Sequence, residues 1–223
     1  MPRERPALTR DLIVAEALAL LDAEGMEGFS MRKLAARLGV EAMSIYHHLP
    51  NRQAILGAVV DRVLAGVPVP DRRLGWRARL EQFAEGTYSA LMAHPAVVTV
   101  MATETADPTD PRALAVADAT LGTLGEMGFS AAEQVSIYRA MTSMVFGFVL
   151  TRSQGLTRPQ GMAGVAWRGD VEAIRAQEEE IPHIVALVPA FLAMTPGEDF
   201  RLALRYFLDG LAREHRTDAD PSP

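Results

Sequence analysis

Few residues in this 223-residue chain could do chemistry, and most of them lack the company that chemistry needs. His47 and His48 are adjacent. Neighbours on a helix point about 100° apart, so the two cannot chelate one ion from a single face. His94, His183 and His215 each stand without a local HxxxH or HExxH partner. No serine sits in a GxSxG turn, and no Gly-rich loop is built to cradle a phosphate. Zero cysteines leaves no thiolate ligand and no disulfide. Catalysis, a metal site and a cofactor are therefore not expected.

Another chemistry is better served. From Met31 to Pro50 the chain reads MRKLAARLGVEAMSIYHHLP. Leu34, Ala35 and Leu38 share one face of a predicted helix, and Arg32, Lys33 and Arg37 lie on another. Ser30 is placed to cap its first turn, and Gly39 supplies the left-handed position that ends it. A second, very short helix is expected over Glu41 to His47, stopping near Pro50. Two short helices joined by a tight Gly turn describe a helix-turn-helix, whose second helix enters the DNA major groove. A plain helical hairpin would need no nucleic acid. Against it, only Val40 and Ile45 of the second helix look like obligatory core, too little apolar area for a helix that exists for packing alone. Arg32 and Lys33 precede it and Arg52 follows, so phosphate-binding cations bracket small and polar side chains fit for base edges.

The longer tract LxxxGMEGFSMRKLAARLGVEAMSIYHHLPNRQAIL resembles the N-terminal domain of the TetR family of transcriptional regulators. The Gly39–Val40 turn, the Ile45–Tyr46–His47–His48 run and the Asn51–Arg52 helix start carry the match. The resemblance implies that Arg32, Ala42, Met43, Ser44 and His47 face base edges, while Lys33, Tyr46, His48 and Arg52 face phosphates of a double-stranded operator. Ala42 and Met43 offer only apolar contact, for which a thymine methyl is the natural target. Arg52 stands where the family usually has Lys, keeping the charge and adding a fork of donors. Further along, Trp76, the His94 turn, Gly128–Phe129–Ser130, Val145 to Leu150 and the Phe200 to Leu211 helix look like the C-terminal domain of the tetracycline-repressor branch. That resemblance implies a homodimer released by a small-molecule inducer. Met101 and Pro68 fall where the branch has histidines for its metal and drug, so the scaffold is implied but tetracycline is not.

The rest of the chain suits that frame. Nearly half the residues (49%) are hydrophobic, enough for a real core. No apolar run reaches the ~18 residues of a membrane span, and the N-terminus lacks a signal-like apolar stretch, so a cytoplasmic protein is expected. The net charge is −6, unevenly spread: residues 1–73 hold ten Lys or Arg against nine Asp or Glu, and the remainder twelve against nineteen. Charge therefore permits DNA binding without arguing for it. Periodicity predicts only helices, an all-α chain: Thr9 caps one to about Glu24, ended by Gly25, and another runs from Asn51 to about Leu64. Others are expected over Trp76–His94, then to Glu104, Pro111–Met127, Ala131–Gln154, Asp170–Glu180, Pro182–Met194 and Glu198–His215. Residues 1–66 are read as the DNA-binding domain with its connecting helix, 67–216 as a ligand-binding and dimerisation domain, and 217–223 as a tail.

Two surfaces are expected in the second domain. Phe83, Thr87, Met101, Thr120, Tyr138, Met141 and Thr142 would line a mostly apolar inducer cavity, with Glu104 and Arg139 as polar anchors. Met141, Val145, Phe148 and Val149, with Phe200, Leu204, Phe207, Leu208 and Leu211, offer more apolar surface than one chain should need. Helices 131–154 and 198–215 would therefore pair with their mates. Two other functions remain open at this point: an enzyme on a helical scaffold, and a helical interaction module without DNA binding.

Overall fold

The computed structural model describes residues 7–104, 109–153, 171–193 and 197–218, and among them every regular element is a helix. The order is α1 (Arg10–Gly28), α2 (Met31–Leu38), α3 (Ala42–Tyr46), α4 (Arg52–Leu64), α5 (Trp76–Ala93), α6 (Ala96–Thr103), α7 (Pro111–Glu126), α8 (Ala131–Ser153), α9 (Val171–Arg175), α10 (Pro182–Ala193) and α11 (Glu198–Asp218). The tail after 218 and the Gly-rich stretch 155–169 lie outside the described residues. The chain forms two compact units, Met1–Thr123 and Leu124–Pro223.

In the first unit, Thr9 caps α1 through Leu12 N–H at 3.2 Å. Gly25 does not end this helix. It takes φ 67° and kinks the backbone, after which one more turn carries Met26 to the end at Gly28. Ile13, Ala17, Leu20 and Leu21 are fully buried, as are Leu34, Ile45, Ile55, Leu56, Val59 and Val60 from α2 to α4. Each such Leu or Ile contributes roughly 1.5–3 kcal/mol by leaving water. α4 packs on α1, α5 and α6, which makes it the spine of the unit. Near its end, Asp61 accepts three hydrogen bonds from the start of α7: from Thr109 N–H (2.7 Å), Thr109 Oγ1 (3.1 Å) and Asp110 N–H (2.9 Å). At the end of α5, His94 Nδ1 meets Asp22 of α1 at 2.8 Å.

The first turn of α4 is held by Asn51, whose side chain accepts from Ala54 N–H at 2.7 Å. Asn51→Ala is expected to cost about 1 kcal/mol. A fall in thermal midpoint checks this, and an unchanged midpoint would mean that packing alone holds the turn.

In the second unit, α8 begins with a reciprocal cap. Glu133 N–H donates to Ser130 Oγ (3.4 Å), while Ser130 N–H (2.8 Å) and its hydroxyl (2.6 Å) donate to the Glu133 carboxylate. The Ser130 hydroxyl first, then its backbone N–H, holds the Glu133 carboxyl below its ordinary pKa. The folded value lies below the unfolded one, so this contribution is present above the unfolded pKa and is lost as pH falls through the folded one. Amide exchange at residues 131–134 is expected to quicken across that acidic window, and Glu133→Gln to flatten the response.

Most of the apolar residues assigned to a mate are spent inside the chain, while Phe148 and Phe207 are half-buried. Met141, Val145, Val149 and Leu208 are fully buried, Phe200 and Leu204 nearly so, and the Phe148 and Phe200 rings meet edge-on at 5.6 Å. One helical stripe cannot serve both a core and a mate, and here the core takes it. α9 is also shorter than expected: it stops at Arg175, and Glu178–Glu180 lie exposed in turns where three like charges oppose a helix.

Candidate nucleic-acid interface

α2 is fixed at both ends. Ser30 Oγ accepts from Lys33 N–H at 3.3 Å, and Gly39, at φ 67°, donates its N–H to Ala35 and Ala36 carbonyls. Val40 N–H returns to Ala35 O at 3.1 Å, closing the turn. Helix α3 is only five residues long, far below what stands alone in water. Ile45, its single buried residue, plugs it to the core, and Leu49 closes the gap behind it. Everything else in the tract is outward or partly so. Met43 is 66% exposed, His47 and His48 are exposed, and Ala42, Ser44 and Tyr46 are half-buried.

The cations are less free than their spacing suggests. Arg32 is exposed and makes no ion pair among the described residues. Lys33 is bonded to Glu24 of α1, and Arg37 to Glu16 at 3.1 Å. Arg52 donates to Glu104 at the end of α6 (2.7 Å), stacks on the Phe29 ring (5.5 Å to its centroid) and lies 3.9 Å from the Met26 sulfur. These acids were invisible to sequence reasoning, because they stand 9, 21 and 52 residues from their partners. All three pairs are partly solvated, so each is worth no more than about 1 kcal/mol and can be exchanged for phosphate.

Of the residues expected to line a cavity, Phe83, Thr87 and Thr120 are buried in the first unit, and Met101 is half-buried. Glu104, offered as a polar anchor, is already engaged by Arg52. The Thr120 hydroxyl donates to Val116 O (2.7 Å), so its one polar atom is already satisfied by its own helix. In the second unit Met141 is fully buried, and Thr142 donates to the carbonyls of Tyr138 and Arg139 on its own helix. Burial pushes the Tyr138 phenol above its ordinary pKa, so it stays a neutral hydroxyl. Arg139 is exposed. Among the described residues, no group of three His, Cys, Asp or Glu could hold a metal, and no helix is long and apolar enough to cross a membrane.

A glycine-turned helix pair, its second helix plugged by one isoleucine and ringed by cations, defines a helix-turn-helix DNA reader. Comparison with known proteins agrees. Residues 13–59 match the family model described as bacterial regulatory proteins, tetR family, and residues 69–215 match the tetracyclin repressor-like C-terminal domain. The chain is similar to the HTH-type transcriptional repressor DrrR1 of Streptomyces coeruleorubidus, 30% identical over 93% of this chain and 78% of that protein. It is also similar to the class A tetracycline repressor of Escherichia coli transposon 1721, 32% identical over 92% of this chain and 91% of the relative. Among solved structures, ActR of Streptomyces coelicolor in complex with actinorhodin superposes with a TM-score of 0.76 at 27% identity, covering 93% and 98% of the two chains. The chain belongs to the tetR family. It is a DNA-binding transcriptional regulator.

Proposed function

We propose that the repressor reads a palindromic operator in the cytoplasm by setting helix 42–46 into the major groove, and that a mostly apolar small molecule releases it. The observation that carries this is the split character of α3: Ile45 is 0% exposed beneath, while Met43 is 66% exposed above. Such a helix is anchored on one side and offered on the other. Arg32, Ala42, Met43, Ser44 and His47 are assigned to base edges, and Lys33, Tyr46, His48 and Arg52 to phosphates. Residues 1–66 serve as the DNA-binding domain and 67–216 as the inducer and dimerisation domain. A gel shift of the purified protein on its own upstream intergenic DNA tests the reading. A complex that survives excess unrelated duplex is expected; no shift on any duplex would overturn it. Arg32→Ala is expected to relax preference at one base position without lowering the salt slope, as binding to a randomised-site pool would show.

For the inducer, Phe83, Thr87, Met101 and Thr120 supply an apolar wall. Actinorhodin, held by ActR, marks one kind of molecule: a fused-ring carbon body edged with oxygens. Met101 cannot ligate the hard metal ion that accompanies tetracycline, so a metal-free ligand fits this chain better. Dimerisation is assigned to the outer faces of α8 and α11. Val135 (49% exposed) and Tyr206 (65% exposed) remain outward on these two helices. Val135→Glu together with Tyr206→Glu is expected to yield monomers by light scattering, with loss of operator binding.

A further inference from the structure

The sequence has eleven methionines and no cysteine, so a peroxide meeting this protein finds no thiol, and the thioethers are its readiest targets. Eight of those methionines are among the described residues, and of these Met43 alone is exposed. Its 66% exposure contrasts with Met127 and Met141, which are buried, and with Met26, whose sulfur lies against Arg52. Susceptibility to oxidation follows exposure. The most accessible soft nucleophile described therefore stands at the centre of the DNA-reading helix.

We propose that Met43 is an oxidant-responsive modification site that turns operator binding off. This rests on the assignment of α3 as the reading helix. The co-reactant is a peroxide. A sulfur lone pair attacks one peroxide oxygen, an S–O bond forms and the O–O bond breaks, and the departing hydroxide takes up the proton as water. Sulfur is oxidised by two electrons and the peroxide reduced by two. The product carries a sulfoxide oxygen, which accepts hydrogen bonds and donates none. Against a thymine methyl that oxygen loses its water and gains no partner. Against purine N7, guanine O6 or thymine O4 it meets another acceptor. The modification therefore removes an apolar contact and leaves a polar group unsatisfied. Operator DNA covers the side chain, so the free regulator is oxidised and then held off DNA. Methionine sulfoxide reductases reverse the change, which makes the device a switch rather than damage.

The test treats the full-length dimer with low hydrogen peroxide, with and without operator duplex, and maps sulfoxides by peptide mass spectrometry. Operator Kd is then measured by fluorescence anisotropy for wild type and Met43→Leu, before and after oxidation and after reductase treatment. Met43 is expected to oxidise first, operator to protect it, and Kd to rise about tenfold or more before the reductase restores it. Met43→Leu is expected to keep the same Kd before and after oxidation. An unchanged Kd with Met43 fully oxidised would overturn the proposal while leaving the DNA-reading assignment intact. So would an equal loss of affinity in oxidised Met43→Leu. No operator complex before oxidation would instead overturn the assignment of α3, and the proposal with it.

Discussion

On the phosphate role proposed for Arg52, Arg52→Ala is expected to weaken operator binding about tenfold at every sequence and to lower the salt slope by about 1, with base preference unchanged. The opposite substitution is the more informative one. In the free protein the Arg52 guanidinium is held by Glu104 at 2.7 Å, so phosphate must displace a carboxylate to reach it. Glu104→Gln removes that competitor and keeps the shape of the side chain. A partly solvated pair is worth about 0–1 kcal/mol, so binding should tighten by up to about fivefold. Paired titrations of the two variants on one operator check both signs. Weaker binding by Glu104→Gln would mean that the pair holds Arg52 in its working position rather than away from DNA.

Ile45→Ala is expected to have the largest effect on folding. This residue is 0% exposed and is the only buried side chain in α3. Emptying such a site costs about 2–5 kcal/mol, and a five-residue helix has no propensity of its own to fall back on. Chemical denaturation should show the loss, and operator binding should fall with it. Ile45→Val, at about 0.5–1.5 kcal/mol, should retain both. If Ile45→Ala kept full stability, α3 would be anchored by something other than its plug.

What could be read from the sequence was whatever a few neighbouring residues decide between them. Thr9 and Ser30 are caps and Gly39 is a left-handed stop, each deciding its turn within three or four residues. Long-range pairing was not readable. Nothing near Arg52 announces Glu104, and nothing near Lys33 announces Glu24, because their meeting depends on how α6 and α1 lie across α4 and α2. The periodicity of α8 and α11 likewise told which side chains would be dry but not against which chain. Gly25 shows a subtler limit: the residue that permits a left-handed break was recognised, while the turn that re-forms after it, and places Met26 beside Arg52, was not.

The three hydrogen bonds on Asp61 give α4 a mechanical character. They pin one end of the helix to the start of α7, while the other end is restrained by the contacts of Arg52. The two residues are nine positions apart in one helix, an arm of about 13.5 Å at ~1.5 Å per residue. Rotating such an arm by roughly 5° about its pinned end carries the far end through about 1.2 Å. Directed along the Arg52–Glu104 hydrogen bond, that displacement stretches 2.7 Å to about 3.9 Å, past the range in which a hydrogen bond survives. A few degrees at the hinge therefore separate a clasped arginine from a released one.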